Sequence, residues 1–207
     1  MIDIATQLKA VAREVKQRPD DTGGELVSVL LRRRYDARVD DVWEAITDPG
    51  RLRRWFAPVS GELKVGGQFE VENNASGEIL ACERPSLLRL TYGGEVSVVE
   101  VRLAADENDD TVLELEHTVP LEIAGSVAGA LYVGPGWDIP FLGLENFLRG
   151  DAPDDLTAWE NSEDVQKFSQ HAVSAWATAA ENAGGAPDAI EAGRQAALAQ
   201  FAPDLVT

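Results

Sequence analysis

Thr111-Val112-Leu113-Glu114-Leu115-Glu116-His117-Thr118-Val119 alternates apolar with polar residues at a period of two. Leu113, Leu115, His117 and Val119 fall on one face of an extended strand, with Glu114 and Glu116 on the other. Upstream the same period persists as far as residue 59. Asp106-Glu107-Asn108-Asp109-Asp110 is a polar hairpin loop, residues 96–103 form a strand, and Gly93-Gly94 makes a turn. Pro85 separates strands at 77–83 and 87–92, and Gly66-Gly67 and Asn73-Asn74-Ala75-Ser76-Gly77 are further turns. Short strands joined by close turns imply an antiparallel meander, because parallel pairs need long crossovers.

On the C-terminal side of the meander the period changes. Trp137, Phe141, Leu144 and Leu148 recur at i, i+4, i+7 and i+11, one face of a helix. Gly134-Pro135-Gly136 reads as the loop leading into it, with Pro140 in its first turn. On the N-terminal side, residues 25–35 place Val27, Val29, Leu31 and Tyr35 on one strand face and Arg32 and Arg34 on the other. A helix follows from Asp40, and Asp48-Pro49 starts a second short one, Asp capping and Pro at the first helical position. Residues 2–17 carry Ile4, Leu8, Val11 and Val15 at helical spacing, and Pro19 to Gly24 reads as a linker. Beyond residue 150, Val165, Phe168, Ala172 and Trp176 form one stripe and Ile190, Arg194, Ala197 and Phe201 another. Gly184-Gly185 divides them, so this is an αα-hairpin, with Asn161 a candidate cap for its first helix.

The chain of 207 residues carries a net charge of −18, which argues against nucleic acid and anionic membranes as partners. Residues 151–207 hold ten acids against Lys167 and Arg194, nearly half of that net charge. Cys82 is alone, so no intramolecular disulfide forms. Asp3 interrupts the apolar run a signal peptide needs, and no stretch has the apolar length to span a bilayer. The expected location is the cytoplasm. Two histidines far apart and one cysteine give no zinc set, and neither a phosphate-binding loop nor a Gly-x-Ser-x-Gly turn is present, so no cofactor or metal is expected.

The order strand, two short helices, meander, long helix resembles the START-like or SRPBCC superfamily, an α+β helix-grip fold. Tyr35 to Trp43, Asp48 to Phe56, Gly66-Gly67-Gln68-Phe69, the strand pair at 77–88 and Leu115-Glu116-His117-Thr118 are similar to the subfamily named after the heat-shock-protein-90 ATPase activator homologue, C-terminal domain. The acidic C-terminal helices resemble an extension on some actinobacterial relatives. The expected layout is an amphipathic helix over 1–22, the START-like domain over 23–150 and the extension over 151–207, packed on the domain.

The resemblance implies a pocket between the concave sheet face and the long helix. Alternation assigns Phe69, Val71, Ile79, Leu90, Tyr92, Val99, Val101, Leu115 and His117 to that face, with Trp137, Phe141 and Leu144 opposite. Such a set either lines a cavity for a small hydrophobic molecule, lipid included, or fills the interior. His117 is the candidate acid/base of a cyclase or hydrolase, or else a buried histidine satisfied by a backbone carbonyl or by Tyr92. Arg33 would anchor an acidic ligand or pair with a buried acid such as Glu100. Arg32-Arg33-Arg34 with Arg51, Arg53 and Arg54 forms the one basic cluster, expected to pair with the acidic extension. The leading expectation is a non-enzymatic binder of a small hydrophobic molecule. An enzyme using His117 comes second and a chaperone ATPase regulator third.

Overall fold

A computed structural model describes residues 2–205. The elements run α1 (Ile4–Lys9), β1 (Val11–Pro19), β2 (Glu25–Tyr35), α2 (Val39–Thr47), α3 (Pro49–Leu52), β3 (Val59–Gly61), β4 (Gln68–Val71), β5 (Ala75–Glu83), β6 (Leu87–Thr91), β7 (Val98–Ala105) and β8 (Thr111–Pro120). Then come α4 (Leu121–Ala124), α5 (Ala130–Leu148), α6 (Leu156–Glu160), α7 (Glu163–Asn182) and α8 (Pro187–Phe201). The strands hydrogen-bond in the order β1-β2-β8-β7-β6-β5-β4-β3, so β3 to β8 form the expected meander. With the long helix α5 this is an α+β, helix-grip fold.

The chain forms two compact units. One comprises the segments through Leu31, Thr118–Phe141 and from Thr157 on; the other comprises Arg32–His117 and Leu142–Leu156. Strand β2 and helix α5 each begin in the first unit and end in the second.

In the first unit, the N-terminal helix ends at Lys9 and a strand occupies Val11–Pro19, where the apolar spacing predicts helix through residue 17. The i, i+4 separation of Val11 and Val15 satisfies both periods, since four residues along a strand return to the same face. The residue between them decides the matter. Arg13 shares the Val11–Val15 face, and its guanidinium binds Asp138 of α5 through Nε and Nη2, at 3.0 and 2.5 Å to Oδ1. Asp138 is 1% exposed and also accepts the Trp176 indole N–H from α7 at 2.7 Å. One buried carboxylate thus ties β1, α5 and α7 together, with its charge matched and its lone pairs used.

Gly134-Pro135-Gly136 does not precede α5 but lies inside it. A methyl on Gly134 would sit 2.5 Å from the Trp176 ring, so glycine is required there by the helix crossing. Gly136 lies similarly against Phe201 of α8, at 3.3 Å. The hairpin α7–α8 buries its first predicted stripe, Val165, Phe168, Ala172 and Trp176, and from the second buries Ile190 and Ala197, with Arg194 and Phe201 half-buried. Its first helix is capped by Ser162, not Asn161, whose side chain bonds back to Thr157.

In the second unit, Asp48 caps α3 by accepting from the Arg51 N–H at 2.8 Å, and Pro49 follows it, as the sequence predicts. The V of α2 and α3 is closed by the Trp55 indole, which donates to the Ala45 carbonyl at 3.0 Å. Arg34, Arg51 and Arg54 find their partners within this unit. Arg34 binds Asp106 and Asp110 of the hairpin loop, Arg51 binds Asp41 and Glu44, and Arg51 and Arg54 stack on the Phe147 ring. None of these partners belongs to the acidic extension, against expectation, because acids closer in the fold are available. Arg33 is 3% exposed and pairs with Glu145 of α5 at 3.0 Å. Glu100, the partner foreseen, instead faces Arg89 and Arg102.

Asp138→Asn keeps the shape of the junction but leaves the Arg13 charge unmatched in a buried site. Denaturant unfolding should show a loss of about 3–5 kcal/mol. A loss under about 1 kcal/mol would mean the junction is not stabilised by its charge.

Candidate functional site

The register of the meander decides which side chains share a face. Phe69 pairs with Gly77 and Val71 with Ala75 across β4–β5, while Ile79, Leu90 and Val99 line up across β5, β6 and β7. Leu88 opposite Val101 continues the same face, and so does Tyr92 opposite Ser97. The His117 Nε2 lies 2.8 Å from the Ser97 hydroxyl, which brings β8 onto this face. Alternation then adds Leu115. All nine sheet residues read from the sequence therefore stand on one side of the second unit. Leu144 belongs to the same unit, on α5, and is buried. Trp137 and Phe141 lie on the part of α5 in the first unit, Phe141 buried and Trp137 half-buried.

Leu88, Cys82 and Ser97 stand on this face and were missed. A bulge between Ile79 and Ala81 shifts the alternation, so Cys82, opposite Leu88, takes the place that strict alternation gives to Ala81. Burial raises the pKa of its thiol. Ser97 stands just before β7 and carries no sequence signal beyond its parity.

Burial across the face is uneven. Val71, Ile79, Val99, Leu115 and His117 are buried, whereas Phe69, Leu90, Tyr92 and Val101 are only half-buried. Leu90 is the informative one. It sits at the centre of the face between the buried Ile79 and Val99, and a filled core would cover it too.

At one end of the face the chemistry turns polar. The Tyr92 ring meets the His117 ring edge-on at 6.2 Å, and its hydroxyl donates to Asn74 at 3.0 Å. Burial pushes the Tyr92 pKa up to about 12 and the His117 pKa down from 6.5 to about 4, because both charged forms lose hydration. His117 is thus a neutral hydrogen-bonding group near pH 7, held by Ser97, and not the near-neutral titrating base that its sequence context allowed. Tyr92, one of the partners the sequence foresaw, meets the His117 ring edge-on. Among the described residues no cluster of histidine, cysteine, aspartate and glutamate is placed to hold a metal ion. No helix of the described residues is long and apolar enough to cross a membrane.

Folding lowers the His117 pKa, so the unfolded chain binds more protons between pH 6.5 and about 4. Stability should therefore fall as pH drops through that window. The histidine should account for about 2 kcal/mol lost between pH 7.5 and 5, at 1.36 kcal/mol per unit. His117→Gln should flatten that part of the stability profile. An unchanged slope in the variant would show that His117 titrates with its ordinary pKa.

Comparison with known proteins agrees with this architecture. The model of the family described as activator of Hsp90 ATPase homolog 1-like protein matches residues 36–146. The crystal structure of CalU16 from Micromonospora echinospora is 38% identical, covering 83% of this chain and 98% of CalU16, with a TM-score of 0.66. Its solution structure gives a TM-score of 0.69 at the same identity, covering 84% of this chain and 97% of that one. DynU16, described as a protein in the dynemicin biosynthetic locus, is 26% identical with a TM-score of 0.50. That match covers 65% of this chain and 49% of DynU16. No curated protein matches the sequence. The CalU16 match extends well past residues 36–146, so the similarity is not confined to the meander and its helices. With more than half of its length matched by the family model, the chain belongs to the activator of Hsp90 ATPase homolog 1-like family, within the START-like superfamily.

Proposed function

We propose that the chain binds a small hydrophobic molecule on the face of β4–β8 in its second unit, without chemical turnover. The observation that carries this reading is the half-burial of Leu90 between two buried neighbours. Apolar side chains left partly uncovered on an otherwise covered face favour an apolar ligand that completes the burial, at about 25 cal/mol per Å² removed from water. The fold family is compatible with small-molecule binding, and the place of DynU16 in a biosynthetic locus agrees with such a ligand. The polar end supplies a few hydrogen-bonding groups for orientation, the usual make-up of such sites.

The Ser97–His117 contact at 2.8 Å also has the geometry of a hydroxyl activated by a base, which favours a hydrolase as the second reading. A histidine with a pKa of about 4 is a weak base at neutral pH, and this ranks catalysis below binding.

Leu90→Trp separates an open face from a filled one. With space over Leu90, the indole should occupy it, abolish saturable binding of a neutral hydrophobic dye, and leave the melting temperature unchanged or higher. With a filled interior, the wild type should bind no dye and the substitution should cost about 1–3 kcal/mol through overpacking. The second pair of results would overturn the ligand reading.

A further inference from the structure

The polar end of the face differs in kind from the rest of it. Ser97, Tyr92, Asn74 and His117 come from the β6–β7 turn, the β4–β5 turn and the second half of β8. Together they present hydroxyls, an amide and an imidazole but no ammonium, guanidinium or carboxylate. Among the described residues of this unit, Arg33 is the buried arginine or lysine, and its charge is matched by Glu145 at 3.0 Å. The chain as a whole carries −18.

Resting on the ligand-binding reading above, we infer that the Ser97–His117 couple holds the polar end of the ligand and selects an uncharged hydroxyl or carbonyl over a carboxylate or phosphate. A neutral imidazole has one donor and one acceptor nitrogen. With Nε2 accepting, the serine hydroxyl donates to it and its oxygen can accept from a ligand hydroxyl. With Nε2 carrying the proton, the serine accepts it and its own O–H can turn to a ligand carbonyl. In either tautomer the couple offers the ligand a hydrogen bond without a change of charge. The burial that keeps His117 unprotonated near pH 7 withholds the cation an anionic head group would need. A carboxylate brought here would lose its hydration against no opposite charge, inside a strongly negative protein.

The test uses the full chain at pH 7.5 with Nile red as the neutral reporter and two competitors of equal chain length, 1-decanol and decanoate. The expected result is saturable dye binding that decanol displaces at a concentration roughly 10-fold or more below decanoate. Ser97→Ala should weaken decanol roughly 5-fold more than it weakens the dye, and Ser97→Thr, which keeps the hydroxyl, should keep the preference. Should the alanine variant fail to fold, the wild-type ratio and the threonine variant still decide the matter. Dye binding that decanoate displaces as well as decanol does, or that neither displaces, overturns the inference while leaving the ligand reading in place. So does an unchanged decanol affinity in folded Ser97→Ala. Absence of saturable dye binding removes the ligand reading and this inference with it.

Discussion

Helix α5 is held by buried charge, and the rest of the structure is built to allow it. Gly134, Asp138, Phe141 and Glu145 fall at i, i+4, i+7 and i+11, a single stripe of that helix. On this stripe Asp138 binds Arg13 and the Trp176 indole in the first unit, and Glu145 binds Arg33 in the second. A carboxylate with these surroundings is tolerated only when its partners are in place, so each pair specifies one setting of the helix against its neighbours. Gly134 follows from the same requirement, because Asp138 meets the Trp176 N–H only if α5 and α7 approach too closely for a side chain at 134.

Because Glu145 neutralises Arg33, the sheet face of the second unit keeps no unmatched buried cation, and its polar end is left to neutral groups. Under the proposed ligand reading, this arrangement links packing to function. The helix anchors are charged and matched, whereas the face where a ligand would lie is apolar with an uncharged hydrogen-bonding corner. Burial lowers the pKa of His117, so the ring is neutral near pH 7.

Much of this was legible in the chain. The alternation places Phe69, Val71, Ile79, Leu90, Val99 and Val101 on one face because a period of two admits one solution once turns are placed, and the register of β4 to β7 agrees. Asp48-Pro49 announces its cap by local chemistry. What was not legible depends on long-range pairing. Val11 and Val15 read as helix because i, i+4 fits both periods, and only the Arg13–Asp138 pair, 125 residues apart in the chain, decides for a strand. Gly134-Pro135-Gly136 reads as a break because its glycines answer to Trp176 and Phe201, far along the sequence. The bulge that brings Cys82 to the face, and the choice of Glu145 over Glu100 for Arg33, are likewise set by tertiary contact.

The central claim is that the half-covered face of β4–β8 is completed by a neutral apolar molecule. Native mass spectrometry of the protein purified from its own host tests it most directly. The account predicts a species heavier than the bare chain by the mass of one small molecule, lost on denaturation and uncharged when analysed after extraction. Recovery of the bare chain alone, or of a bound carboxylate or phosphate, would contradict it.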